Sequence, residues 1–96
     1  MRLYLIAFLA LFVVTIDAHA QDLQRGKILH DTYCIACHDA RIYTRKERVA
    51  GDLAEVRAQV VRWSGNISLG WNAEDIDAVT VFLASRYYGI DCSKDC

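Results

Sequence analysis

Gly26-Lys27-Ile28-Leu29-His30-Asp31-Thr32-Tyr33-Cys34-Ile35-Ala36-Cys37-His38 is the stretch on which the fold turns. Leu23, Ile28, Leu29 and Tyr33 mark one apolar face of a short helix that contains Gly26 and runs into Cys34. That helix leads into Cys34 to His38, a C-x-x-C-H pentapeptide, which is the attachment signature of a c-type haem. Two thiols three positions apart on a helical turn can each reach one vinyl group of the same porphyrin edge. A histidine fixed beside the second thiol then presents a ring nitrogen to iron from one side. The expectation is one covalently attached haem c, held by Cys34 and Cys37, with His38 as the proximal iron ligand.

Two rival readings of the same cysteines compete with this one. A thioredoxin-type redox pair wants a βαβ setting, and no segment shows the sustained period-two alternation of a strand. A zinc site from Cys34, Cys37, His38 and a fourth ligand such as Cys92 is possible by ligand count. Export argues against zinc, since an oxidising compartment favours thiol oxidation over metal capture in an exposed short motif.

Export itself is read from the start of the chain. Met1-Arg2 is a short positive start, Leu3 to Ile16 an apolar run of fourteen residues, and Ala18-His19-Ala20 a small-x-small cleavage pattern. Asp17 closes the run short of the roughly 18 apolar residues that a membrane span needs. Residues 1–20 are therefore expected to be a signal peptide and residues 21–96 one mature domain in the periplasm, with no membrane attachment after cleavage.

Of the 96 residues, 54% are hydrophobic and 24% charged, and cleavage leaves 76. A chain that short buries too small a fraction of its surface to rely on its own core and usually needs a cofactor, a metal or a cross-link. A formal net charge of −1 is not the basic footprint of a nucleic-acid binder. No catalytic triad or carboxylate pair appears, so substrate turnover is not expected.

Beyond the attachment motif, Asp39 to Arg48 is polar and basic and reads as an exposed loop. A second helix is expected from Asp52, with Glu55 completing a capping-box-like pair, a buried stripe of Leu53, Val56, Val60 and Trp63, and Gly65 as a left-handed terminator. Asn66 to Trp71 is a turn-prone connection. A third helix opens at Asn72, has Glu74 and Asp75 in its first turn, carries Ile76, Val79, Leu83 and Tyr87 on one face with Phe82 widening it, and can end at Gly89. The fold class is all-α, with three to four helices around one covalently bound haem.

The stretch Gly26 to His38 resembles the N-terminal helix of class I cytochromes c, in which a glycine eight residues before the first cysteine lets another helix cross closely. Phe82 matches the aromatic of the C-terminal helix that packs at that crossing in the family. The middle departs from the pattern: Arg41 to Arg48 replaces the usual Gly/Pro-rich segment, and the methionine that ordinarily precedes the last helix is missing. Tyr43 to Arg48, with Leu69-x-Trp71, is similar to a group of small bacterial cytochromes.

Met1 is the only methionine, so a mature chain without it lacks the usual sixth iron ligand. Within Ser64 to Trp71, Asn66 is the distal candidate, although amide ligation is weak and Asn66 also reads as a turn residue. Lys46, Lys27, Tyr43, a water or an open site are the alternatives, and Asn72 is better explained as a helix cap. His30 lies one turn before Cys34 on the attachment helix, cannot easily reach the opposite haem face, and reads as an amphipathic surface residue. A weakly held or open distal position should lower the potential relative to a His/Met cytochrome and admit small gases.

The functional expectation is a monohaem electron-transfer protein, with a gas-binding or gas-sensing haem protein as the alternative. Its partners would be redox proteins, and the chain could be a subunit of a larger oxidoreductase. Arg41, Arg45, Lys46 and Arg48 form a candidate docking rim for an acidic partner, against a plain solvated loop or an arginine paired with a haem propionate. Cys92 and Cys96, four apart in an oxidising compartment, are expected to form a tail disulfide. Trp63, Trp71, Tyr43, Tyr87 and Tyr88 are read as haem-pocket packing.

Overall fold

The computed structural model describes residues 18–92, 94 and 96, and within them the fold is all-α. Four helices follow one another: α1 Ala18–Tyr33, the single turn α2 Arg41–Thr44, α3 Leu53–Asn66 and α4 Ala73–Tyr87. The signal-peptide expectation for residues 1–20 lies outside the described residues except for Ala18 to Ala20, which form the first turn of α1. No helix among the described residues is long and apolar enough to cross a membrane.

Each long helix after α1 starts where the sequence places a cap. The Asp52 carboxylate accepts from the Glu55 backbone N–H at 2.8 Å. Glu55 does not return the bond to Asp52; its carboxylate accepts from the Gly51 N–H at 2.6 Å, so the reciprocal pair is displaced by one residue. Asn72 and Asp75 form the full capping box, each side chain accepting from the other's backbone N–H. Asp75 also pairs with Arg25 of α1, which ties the start of α4 to the middle of α1.

α4 is the element on which the others pack, with α1 on one side and α3 on another. The α1–α4 crossing centres on Gly26: a Cβ there would stand 2.0 Å from the Ala78 carbonyl oxygen and 2.8 Å from the Phe82 Cβ. Only a residue without a side chain admits that approach, which is the close crossing that the Gly26 and Phe82 positions lead one to expect. Val79, Phe82 and Leu83 of α4 meet Val56 and Val60 of α3 in the core, which Tyr43 and Ala50 complete. An ion pair between Arg57 Nε and Asp77 at 2.9 Å spans the same two helices outside.

Three expectations are corrected by the packing. Trp63 is 55% exposed, and the buried stripe of α3 continues instead through Ser64, because steps of four from Val56 and Val60 keep to the α4 face. Gly65 does not end α3, which runs on to Asn66; the left-handed backbone occurs later, at Ser68 and Gly70. The segment from Asp39 to Arg48 is not wholly an exposed loop, since α2 turns Tyr43 into the core, where it is 8% exposed. Gly89, with φ of 65°, follows α4 as expected, and the Ile90 N–H beyond it donates back to the Ala84 carbonyl.

Candidate functional site

Cys34 to His38 follow directly on α1. The Cys34 N–H donates to the His30 carbonyl at 2.8 Å, continuing the helix, and the Cys37 N–H donates to the Cys34 carbonyl at 3.3 Å in a tighter turn. Both thiols are free, Cys34 half-buried and Cys37 exposed. Burial pushes the Cys34 thiol up from its ordinary value, with smaller contributions from Cys37 and Asp31, so it is held protonated. Tyr33 and Ile35 on either side of it remain 42% and 38% exposed, which leaves apolar surface at the thiols uncovered by protein.

His38 is half-buried, and its Nδ1 lies 3.0 Å from the Asp39 carbonyl oxygen. A carbonyl only accepts, so that contact places a proton on Nδ1 and, in the neutral ring, the lone pair on Nε2. An Nδ1–H held by a backbone carbonyl is the arrangement that orients a metal-ligating imidazole. Asp39 is itself fixed, accepting from the Arg41 N–H at 2.9 Å and from the Arg41 Nε at 2.8 Å. The chemistry of this donor set, two unpaired thiols in register and an imidazole of the correct tautomer, fits the haem expectation. Cys92 is joined to Cys96 in a disulfide and so is not a free thiolate for the zinc alternative.

Behind the motif lies a cluster that sequence reasoning missed. His30 is not a surface residue but 0% exposed, enclosed by Tyr43, Phe82 and Tyr87 with ring centroids 5.5, 5.3 and 6.4 Å away. Both ring nitrogens are bonded, Nδ1 to Asp31 Oδ1 at 3.1 Å and Nε2 to the Tyr43 hydroxyl at 2.7 Å. Burial holds the His30 pKa below its ordinary value, partly offset by Asp31. Burial likewise raises that of the Tyr43 phenol. The signal was present in the spacing: Gly26, His30 and Cys34 are each four apart and share one helical face. A glycine that admits another helix therefore points to His30 as buried, too.

The distal candidates are placed unevenly. Tyr43 commits its hydroxyl to His30, and the Lys27 ammonium is 2.5 Å from Asp31. Asn66 is exposed at the last residue of α3, and Lys46 is exposed after α2. Asn72 acts as the α4 cap. At the far end of the α3–α4 connection, Trp71 meets Tyr33 edge-on at 6.1 Å, so this connection does reach the residue before Cys34.

The basic run divides into different roles. Arg41 is paired with Asp39 at 2.6 Å, and Arg48 lies 4.6 Å over the Tyr88 ring while donating to the Tyr43 carbonyl at 3.3 Å. Arg45 and Lys46 remain exposed. Tyr43, Tyr87 and Tyr88 pack together, with Tyr43 against His38, whereas Trp63 lies outside, its indole N–H donating to Gln59. Comparison of the chain with protein-family models, curated proteins and solved structures finds no match.

Proposed function

We propose that this chain is an exported, periplasmic c-type cytochrome that carries one haem and transfers electrons between redox proteins. The observation that carries the reading is the local chemistry of Cys34 to His38: two free thiols in the attachment spacing, followed by an imidazole whose Nδ1–H is held by the Asp39 carbonyl. Cys34 and Cys37 would each hold haem through a thioether, the S–H adding across one vinyl C=C with no net oxidation. His38 would hold the iron through Nε2, its Nδ1–H being taken by the Asp39 carbonyl. When bound, haem supplies a one-electron ferric/ferrous couple. The apolar faces of Tyr33 and Ile35 give it cover at the thiols, and the exposed Arg45 and Lys46 offer positive charge for an acidic partner.

The test is expression with a haem-attachment system, followed by mass measurement and absorption spectra in both oxidation states. The expected product is heavier by one haem and loses it upon Cys34→Ala/Cys37→Ala substitution. A chain of unmodified mass would overturn the reading.

One observation favours the gas-binding alternative: the hydroxyl of Tyr43 and the ammonium of Lys27 are already engaged, and the remaining candidates, Asn66 and Lys46, are exposed side chains. Rapid change of the ferrous spectrum under carbon monoxide would support a binding role. An unchanged spectrum would sink it.

A further inference from the structure

We propose that Asp31, His30 and Tyr43 are positioning residues for His38, a hydrogen-bonded chain from the surface through the core that fixes the plane of the imidazole. This inference rests on the reading of His38 as the proximal ligand.

The chain has a single consistent polarity. The Asp31 carboxylate, on the exposed side of α1, only accepts, so it takes the His30 Nδ1–H at 3.1 Å. Neutral His30 then has its lone pair on Nε2, which accepts from the Tyr43 hydroxyl at 2.7 Å. Lys27 contacts the other oxygen of Asp31 and holds the carboxylate ionised and in place. Among the described residues no buried polar side-chain atom lacks a partner, so the chain closes without loose ends.

The tyrosine converts this polarity into an orientation. Its ring stands edge-on to the His38 ring, centroids 5.5 Å apart and planes at 84°. Tyr87 and Tyr88 pack on it at 5.0 and 6.4 Å. The phenol is therefore pinned at its tip by His30 and at its root by α2, whose start Asp39 secures through the Arg41 backbone N–H. His38 is held twice, at Nδ1 by the Asp39 carbonyl and across its ring by Tyr43. A buried imidazole is a costly way to fill the space below Phe82 if filling space were all it did, since an apolar aromatic needs no partners. What histidine adds is the directional bond to the Tyr43 hydroxyl, and groups that orient a metal ligand in this way tune the metal.

The experiment uses haem-loaded wild-type, Tyr43→Phe and Asp31→Asn proteins. The readouts are the proton NMR shifts of the haem methyl groups in the ferric state, which report the plane of the axial imidazole, and the midpoint potential. Tyr43→Phe keeps the ring and removes the tether; the methyl shifts are expected to change their spread and the potential to move. Asp31 is exposed on α1, so Asp31→Asn leaves the core packing in place, and it should move both readouts less. Methyl shifts and potential that stay at wild-type values in either folded variant, even with a lowered Tm, would overturn the inference and leave the haem reading standing. A wild-type chain that acquires no haem would overturn both.

Discussion

The Cα of Gly26 faces the Ala78 backbone so closely that a Cβ would lie 2.0 Å from its carbonyl oxygen. In an open helix, alanine in place of glycine would stabilise by about 1 kcal/mol. Here the obstacle is backbone, which cannot rotate away, so the helices must separate. Gly26→Ala should cost about 2–3 kcal/mol, as overpacked cores do. Urea unfolding checks this; a variant as stable as wild type would show that the crossing is looser.

Stability should depend on pH through His30. Burial lowers its folded-state pKa, so below the unfolded value of about 6.5 the unfolded chain binds the additional proton. The contribution is complete above that value and is lost as pH falls toward the folded pKa. The carboxylates of Asp31, Asp39 and Asp75 are also shifted down, by bonds to Lys27, Arg41 and Arg25 respectively, and their contributions disappear only at lower pH. Tm should therefore decline in the wild type as pH falls below about 6.5, and His30→Phe should flatten that decline.

Arg48 should behave as a packing residue and not as a docking charge. It caps the Tyr88 ring at 4.6 Å and reaches the Tyr43 carbonyl. Arg48→Ala should cost about 1 kcal/mol through the lost cation–π contact and buried stem. Arg45→Ala and Lys46→Ala, both at exposed positions, should stay within about 0.5 kcal/mol. Thermal melts of the three variants separate these roles.

The helix caps give a further comparison. Asn72→Ala and Asp52→Ala each remove an acceptor from a backbone N–H, and each should cost about 1 kcal/mol. Asn72→Ala should cost more, because its partner Asp75 also holds Arg25 of α1. Denaturant titration gives both values directly.

The tail disulfide encloses three residues between Cys92 and Cys96, so the unfolded chain loses little freedom by closing it. Replacing both cysteines by serine should cost no more than about 2 kcal/mol on the loop-entropy relation. Thiol titration of the denatured chain without reductant should find two free thiols, and none if haem is joined to Cys34 and Cys37 as proposed. Four before attachment would refute the pairing.

Much of this molecule can be read from its residues alone. Asn72 and Asp75 announce the start of α4 because a cap is local chemistry between neighbours three apart. The C-x-x-C-H signature is likewise local, whereas the meeting of Gly26 with Phe82 on another helix was implied only by the family resemblance and not by any local spacing. Trp63 was misplaced because an apolar residue one step off the α3 stripe is indistinguishable by pattern from one on it; the geometry of the α4 face excludes it and takes Ser64 instead.

His30 and Tyr43 mark the other limit. They are thirteen residues apart, one on a long helix and one in a segment with loop composition, and nothing in either neighbourhood specifies the other. The sequence by itself determined an all-α chain, its caps and the C-x-x-C-H spacing, because these depend on spacing along the chain. Only the tertiary structure decided that His30, whose burial the Gly26 spacing could have signalled, is bonded to a tyrosine set against His38. The cause is the Gly26 crossing: bringing α4 against α1 encloses whatever stands one turn further along, and a buried imidazole must then find partners for both nitrogens.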